Sequence, residues 1–362
     1  MPVYLTFAAI DKVVTSNIVE PTETKQAGRD YVYWGKNNNY PDYLRGLRKN
    51  AATLQSVING CRDYTAGDRV DCQLPFESTY MNREKKTPSD IVKALARDWF
   101  TYGGFCYEVI RSGSGDIVEI YHIDFSFIRT NEDRSCFWYS EDWGKRFGKK
   151  KDLVLPRFDK TAKEVKESIV YVTNTDSQVY PECPFEGAVI AAELERAIDE
   201  YHWNSMNNGF SGSYLINMNN GDPGDEVREE IERNFNQKFA GHKNAGRIMF
   251  AWNVDRDHMA TIQEFKATDF ADKYDALAKR SRQQIFTCYR ANPNLFGIPT
   301  ENLGFSSEEY ESAFKLFNRT VIQPAQRRII DSFTATFDAN MKIKPFTLDG
   351  DGENTETAQK TE

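Results

Sequence analysis

The feature that most constrains the fold is a pair of amphipathic helix patterns with a complete supersecondary unit inserted between them. Apolar residues recur every three or four positions over residues 185–210 and again over residues 268–290. Residues 211–267, between the two helices, predict a β-α-β-β unit. A unit inserted in this way must project from the ends at which both helices stop. The chain is therefore predicted to be an α+β protein.

The region before the first of these helices is predicted to be rich in β-strands. Residues 1–30 show no clear period and predict an arm, whereas residues 31–184 combine crowded aromatics, helices and several strands. Ser89 is placed to cap a helix over residues 88–102. Two β-rich runs around the turn SGSGD, residues 112–116, predict a hairpin.

A loop rich in amides, prolines and glycines follows the second helix. Residues 292–310, NPNLFGIPTENLGFSSEEY, contain no Lys or Arg. Ser306 and Glu309 have capping-box spacing, which predicts the start of a long helix. Pro324 falls inside this helix, where it removes one hydrogen bond and clashes with the preceding turn, so a kink is expected. Residues 349–362 are polar and acidic, which predicts disorder.

The composition is typical of a globular protein, and it shows neither the basic character of a nucleic-acid binder nor the residue spacing of a metal site. The 362 residues carry a net charge of −8, which argues against a sequence-reading DNA binder with a basic footprint. It leaves room for a protein that surrounds DNA without gripping it. None of the six cysteines forms a CxxC pair, and none of the four histidines lies at zinc spacing from a cysteine or carboxylate. We therefore expect reduced thiols, no metal and no cofactor.

The sequence contains no clear catalytic motif. There is no P-loop, and SGSG at residues 112–115 lacks the glycine spacing of a nucleophile elbow. Asp255, Asp257 and His258 form a cluster with two interpretations: a solvated turn between strands, or a site for metal-dependent hydrolysis. We expect no enzymatic activity. No apolar run approaches the roughly 20 residues that a membrane span requires, so no membrane association is expected.

Five segments carry a family pattern through their order along the chain. They are YWGKNNNYPDYL near the N-terminus, NNGFSGSYLI after the first helix, FAGHKNAGRIMF, NPNLFGIPTENLGFSSEEYESAF, and the TVIQP that ends at Pro324. Together they resemble the portal protein of tailed bacteriophages. Proteins of that family form the ring at the head vertex through which DNA is packaged and ejected, so the resemblance implies this role.

The resemblance divides the chain into the parts of a portal subunit. It implies an arm (1–30), a β-rich wing (31–184), a first stem helix (185–210), an inserted α/β clip (211–267), a second stem helix (268–290), a tunnel loop (291–305), a long kinked helix with a return to the wing (306–348) and an acidic disordered tail (349–362).

The resemblance also implies functional residues. The tunnel loop, which would face the channel, includes Asn292, Pro293, Asn294, Leu295, Phe296, Gly297, Asn302 and Gly304. The stem helices have opposite charge bias, with Glu193, Glu195, Asp199 and Glu200 on the first and Lys279, Arg280, Arg282 and Arg290 on the second. The clip face expected to dock partners carries Glu226, Glu229, Glu230 and Arg233. The helix kink is placed at Pro324.

Ring symmetry gives these assignments a physical rationale. In a closed ring every residue is repeated, so one lysine on a channel loop would become a ring of lysines with salt-dependent grip on phosphates. A loop without basic residues touches the DNA backbone without that grip, and an acidic ring repels DNA and eases its passage. The opposite charges of the stem helices are expected to pair across subunits, and the basic half of the second suits its helix dipole.

The expected partners follow from the resemblance. They are further copies of this chain, commonly twelve in the family, double-stranded DNA bound without sequence preference, the major capsid protein, the terminase large subunit and a head–tail connector. The protein is expected at the portal vertex of the virion, and in the host cytoplasm during assembly. Two alternatives stay open: another ring-forming head–tail connector protein, and a carboxylate-dependent nuclease.

Overall fold

A computed structural model describes residues 18–73, 79–143, 153–207, 214–218, 224–239, 248–252, 268–298, 307–338 and 340–346. The helices are α1 Tyr40–Asn50, α2 Ala52–Ala66, α3 Pro88–Tyr102, α4 Val189–Asn207, α5 Asp225–Phe239, α6 Thr268–Cys288, α7 Ser307–Phe317 and α8 Gln323–Phe337. The strands are β1 Glu23–Lys25, β2 Val32–Trp34, β3 Arg69–Cys72, β4 Gly104–Arg111, β5 Ile117–Ile123, β6 Ile128–Thr130, β7 Cys136–Tyr139, β8 Leu153–Pro156, β9 Glu167–Thr173, β10 Tyr214–Met218, β11 Ile248–Trp252 and β12 Met341–Lys344.

Helices and strands are mixed along the chain, which confirms the α+β prediction. The chain divides into two compact units. The first comprises Met1–Ala192 and Gln283–Glu362, and the second is Glu193–Arg282. The second unit is therefore inserted in sequence into the first, and helices α4 and α6 each contribute residues to both.

The centre of the first unit is an antiparallel sheet of order β5-β4-β9. The predicted hairpin forms around residues 112–116, where the Ser112 amide donates to the Asp116 carbonyl at 2.8 Å. Helix α8 packs on β4, because the Tyr107 hydroxyl lies 2.8 Å from Ser332 Oγ and 2.9 Å from Thr336 Oγ1. The sheet and α8 thus share one apolar core.

Helix α3 begins at a different cap from the one predicted. The cap is Thr87, whose side chain accepts from the Asp90 amide while the Asp90 carboxylate accepts from the Thr87 amide. This reciprocal capping box stabilises the first turn, and Pro88 suits it because its fixed φ matches a helix. Ser89 instead accepts a hydrogen bond at 3.2 Å from the Val70 amide of β3.

The amide-rich turn near the N-terminus is held by a buried arginine. Asn38 adopts a left-handed φ of 58°, and its side-chain oxygen accepts from the Trp34 amide at 3.1 Å. Arg129 of β6 is fully buried and donates to both the side-chain and main-chain oxygens of Asn38. The indole of Trp34 stacks on Tyr180 at 4.6 Å. The aromatic and amide segment of the sequence therefore has a structural role inside the first unit.

The chain remains within the first unit after α8. Strand β12 pairs antiparallel with β3, with Lys344 opposite Arg69 and Met341 opposite Cys72. This pairing joins the C-terminal part of the described chain to the strand that follows α2.

The second unit contains a βαβ arrangement. Strands β10 and β11 pair in parallel, with Tyr214 opposite Ile248, and α5 lies between them in sequence. A parallel pair requires such a crossover. The third strand predicted for this unit lies outside the described residues. Val227 of α5 is apolar but 43% exposed.

Three general features of the described residues bear on function. No helix there is long and apolar enough to cross a membrane. No group of three or more His, Cys, Asp and Glu side chains among them could hold a metal ion. All six cysteines lie in the described part, and all are free thiols.

Candidate functional site

The segment that follows α6 begins as an ordered structure rather than as an open loop. Residues Pro293–Phe296 form a single 3₁₀ turn, and the Asn292 side chain caps it by accepting from the Asn294 amide at 3.0 Å. Gly297 ends the turn with a left-handed φ of 75°, a conformation that suits glycine.

The turn is anchored to α2 by two contacts. The Tyr64 hydroxyl donates to the Leu295 carbonyl at 2.7 Å. Burial raises the pKa of Tyr64, so the phenol stays protonated and remains a donor. The ring of Phe296 lies against Gly60, where an added Cβ would come within 2.4 Å of the ring. Gly60 therefore provides the space that Phe296 occupies.

Three further aromatic rings surround Phe296, and together with Gly60 they form what we term the Phe296 socket. The ring centroids of Phe286, Phe317 and Tyr64 lie 5.7, 5.8 and 6.1 Å from that of Phe296, each with an edge-to-face geometry. Such pairs add to the energy of apolar burial by about 0.5–1.5 kcal/mol each. The socket therefore ties the end of α6, the 3₁₀ turn and α7 to α2.

The burial corrects one sequence prediction. Leu295 is only 5% exposed, and Phe296 is partly buried in the main hydrophobic core. Both were expected to touch DNA from an open loop, but their side chains are used to hold the loop base. Asn292, Pro293 and Asn294 are half-buried and Gly297 is exposed. Asn302 and Gly304 lie outside the described residues.

The helix after the loop is interrupted where the sequence predicted. Helix α7 passes into a π-helical segment, Asn318–Ile322, and α8 then begins with Pro324 in its first turn. The Gln323 amide donates to the Asn318 carbonyl, five residues back. Pro324 has no N–H and cannot donate the hydrogen bond of a regular helical turn. The wider π-helical turn before it shifts the hydrogen-bonding pattern, so that this missing donor falls in the first turn of α8. The predicted helix is therefore three segments, with its irregularity on the N-terminal side of the proline.

The acidic residues of α4 have different environments. Arg196 binds Glu193 at 3.0 Å and Glu200 at 3.6 Å along the same helix. Glu195 is buried, with 8% exposed, and Asp199 is exposed. Glu193 and Glu200 therefore already have an ion-pair partner within their own helix. The predicted pairing across subunits is left mainly to Asp199, which is exposed.

The basic residues of α6 do not lie at its C-terminal end, where they were expected to interact favourably with the helix dipole. Lys279, Arg280 and Arg282 are exposed, but α6 ends at Cys288 and its last turn contains no basic residue. A charge more than a turn from the helix end interacts weakly with the dipole. Arg290 lies beyond the helix, where its backbone has a left-handed φ of 52°.

The acidic face of α5 is accessible. Glu226, Glu229, Glu230 and Arg233 are all exposed. Asp225 at the start of the helix pairs with Arg228 at 3.3 Å. The alternative cluster of Asp255, Asp257 and His258 lies outside the described residues.

Sequence reasoning missed the socket residues Gly60 and Tyr64. One signal was available, since a glycine inside a helix pattern often marks a close approach by another group. The identity of that group could not be inferred, because Tyr64 and Leu295 are 231 positions apart in the sequence.

These features define an α+β subunit with a βαβ unit inserted between two helices and a loop anchored at the base of a third. A protein-family model described as "Phage portal protein" matches residues 81–355, which is most of the chain. The chain therefore belongs to the phage portal protein family.

Solved structures with a similar fold include chains from gene transfer agent (GTA) particles. A chain from the neck of an empty GTA particle, computed with C6 symmetry, has a TM-score of 0.53 and 15% identity, with 85% of each chain covered. A chain from the neck of a native GTA particle, computed with C12 symmetry, has a TM-score of 0.52 and 16% identity, covering 85% of this chain and 84% of that one. At such identities the likeness concerns the fold.

A further match is the crystal structure of an HK97 family phage portal protein from Corynebacterium diphtheriae. Its TM-score is 0.47 and its identity 12%, with 83% of this chain and 94% of that chain covered. None of the curated proteins matches this chain.

Proposed function

We propose that this chain is the subunit of a homo-oligomeric ring at the capsid vertex, a dodecamer by analogy with the family. The ring conducts double-stranded DNA, without sequence preference, during packaging and ejection. The observation that carries the proposal is the family match over residues 81–355, which spans the inserted second unit and the anchored loop. In this role the protein is a conduit and not an enzyme.

The anchored loop supports a channel-facing role for the residues that follow it. The Phe296 socket fixes one end of the loop, and α7 begins at Ser307. Between them, residues 299–306 contain no Lys or Arg. Repeated around a ring, this segment would present amide and apolar groups to DNA without a salt-dependent grip on phosphates.

Different parts of the subunit bind different partners in this proposal. The exposed face of α5 docks the terminase large subunit during packaging and a head–tail connector afterwards, and the first unit meets the major capsid protein. The protein functions at the portal vertex of the virion after assembly in the host cytoplasm.

Electron microscopy of the purified protein tests the proposal. We expect rings with an open channel, and light scattering should give the mass of a high-order oligomer. A protein that stays monomeric at micromolar concentration, both alone and when co-produced with its capsid and scaffold proteins, would contradict the proposal. Rings that fail to bind the terminase large subunit would favour a different head–tail connector protein.

A further inference from the structure

A cavity of about 370 Å³ lies in the first unit beside the N-terminal half of α3. We term it the α3 pocket. Its walls come from α3, from the turn that precedes it, from the end of β5 and from α2. The cationic lining residues are Arg62, Lys86, Lys93 and Arg97, and the anionic ones are Glu84 and Asp90. The volume is in the range of small-molecule sites, and the excess of cations contrasts with the net charge of −8 for the whole chain.

The Asp90 carboxylate is already used within the helix. It accepts from the Thr87 amide at 2.9 Å and from the Thr87 hydroxyl at 2.7 Å. These hydrogen bonds hold the pKa of Asp90 below its ordinary value. The carboxylate is therefore used by the capping box. Its charge partly balances those of Lys86 and Lys93, but it forms no ion pair with either lysine.

The cations that line the pocket, Lys86 just before α3 and Lys93 and Arg97 on it, retain unused hydrogen-bond donors. Lys86 and Lys93 are exposed and make no ion pair with any residue that the structure describes. Arg97, one helical turn from Lys93, has a buried Nε without a hydrogen-bond acceptor among the described residues. Arg97 forms ion pairs with Asp98, 3.6 Å from its Nε, and with Asp124, 4.0 Å from its Nη2, but both distances are too long for a hydrogen bond, so its donors are not saturated.

One wall of the α3 pocket is rigid. Asp98 is fully buried and its Oδ2 lies 2.8 Å from His122 Nε2 and accepts from the Phe125 amide at 3.1 Å. This pair of contacts fixes the ring of His122, which lines the cavity. The other oxygen of Asp98 has no hydrogen-bond partner among the described residues. A fixed imidazole and an arginine with an unsatisfied Nε therefore line the same cavity.

We propose that the α3 pocket binds a phosphate group, supplied either as a free phosphate compound or as the phosphodiester backbone of nucleic acid. Three cationic groups, Lys86, Lys93 and Arg97, line one cavity from a short stretch of chain, and a tetrahedral oxyanion has enough acceptor oxygens for all of them. A single carboxylate offers only two acceptor oxygens, whereas a phosphate group offers up to four.

Charge reversal at the two exposed lysines tests the proposal with the full-length protein. The variant Lys86→Glu/Lys93→Glu is compared with Lys49→Glu/Lys166→Glu, which reverses two exposed lysines outside the cavity and makes the same change in net charge. Calorimetry with inorganic phosphate and with a mononucleotide, and fluorescence anisotropy with a short labelled duplex, separate the two sources of phosphate.

We expect the wild type to bind at least one of these probes and the pocket variant to bind it at least about tenfold more weakly, the value of one charge-assisted hydrogen bond. The control should bind as the wild type does. If the duplex is the ligand, the slope of log affinity against log salt should fall by about 2. Thermal unfolding and oligomer size check the fold, and the neutral single variant Lys93→Gln repeats the test with less disturbance.

Three results would overturn the proposal. They are no binding of any phosphate probe by the wild type, equal losses in the pocket variant and the control, and binding of a glutamate-rich peptide in place of phosphate. Electron microscopy of the rings is a separate measurement, so failure of this site would not count against the proposed conduit.

Discussion

Arg129 shows how one residue determines the conformation of a distant turn. It is fully buried, and its guanidinium donates to the carbonyls of Ser126 and Ile128 at 2.9 and 2.8 Å and to the Asn38 carbonyl at 2.8 Å. It also lies 4.8 Å from the ring centre of Trp143. Burial lowers the pKa of Arg129 to about 10, so the side chain is still cationic at neutral pH. No ion pair to it is present among the described residues.

The variant Arg129→Lys should therefore be destabilised. Lysine keeps the charge but cannot direct donors to four oxygens and a ring at once, so buried carbonyls lose their partners. We expect a loss of at least about 2 kcal/mol in the free energy of unfolding, measured by denaturant titration. The control Arg69→Lys alters an exposed arginine paired with Asp71 and should change stability by less than about 0.5 kcal/mol. Equal effects would show that Arg129 has no special structural role.

Gly60 offers a second test at the scale of one residue. In a helix, glycine to alanine ordinarily stabilises by about 0.5–1 kcal/mol. At Gly60 the new methyl group would meet Phe296 at 2.4 Å, so we expect a net loss of about 1–3 kcal/mol from overpacking. Gly46 of α1 has open space around it, and Gly46→Ala should show the ordinary gain.

A double-mutant cycle identifies the contact. Phe296→Leu removes the ring edge that the methyl group meets, so Gly60→Ala should cost less in that background than in the wild type. Additive effects of the two substitutions on the free energy of unfolding would mean that the cost of Gly60→Ala does not arise from contact with Phe296.

At the scale of elements, periodicity predicted most helices and the β4–β5 hairpin because their signals are local. The same pattern marked the break near Pro324, although not the π-helical segment that forms it. The burial of Leu295 and Phe296 could not be predicted, since their contacts are with α2, far away in sequence. Polarity of the whole 292–305 segment suggested an open loop, and only the tertiary contacts show that its first residues are an anchor.

The anchor and the remainder of the loop should therefore have separable functions. Replacing residues 299–305 with a Gly-Ser linker of equal length leaves the Phe296 socket intact. We expect unchanged oligomer size and thermal stability, with loss of DNA packaging or retention in an assembly assay. The variant Phe296→Ala should instead lower stability by about 3–5 kcal/mol, as large-to-small core substitutions do. Loss of the ring in the linker variant would show that the loop is mainly an assembly contact.

The opposite charges of α4 and α6 lead to a prediction about assembly. We expect Arg280→Glu/Arg282→Glu to weaken ring formation, seen as a shift to smaller species by light scattering, with the shift reduced at high salt. Adding Asp199→Lys should partly restore the rings, because attraction would replace repulsion at the interface. Arg228→Glu, on α5, is the single-charge control. No recovery in the combined variant would mean that these charges do not meet across subunits.

At the scale of the whole molecule, the second unit is inserted in sequence into the first. The chain forms the first unit from its two ends, so the inserted βαβ unit can present a surface without interrupting the core built by β4, α3 and α8. The exposed carboxylates of α5 lie on that inserted unit, and exposed charges contribute little to folding stability. Their effect is expected on association with a partner.

Reversing Glu226, Glu229 and Glu230 to lysine should therefore spare folding and ring size while slowing association with the terminase large subunit and the head–tail connector. Charge on a docking face acts mainly on the association rate, so the wild type and the variant should differ most at low salt and converge as salt rises. A control that reverses Glu20, Glu164 and Glu182, exposed carboxylates of the first unit, carries the same net charge and separates local from overall effects. Surface plasmon resonance over a range of salt concentrations measures the rates. Association as fast as wild type at every salt concentration would place the docking surface elsewhere on the ring.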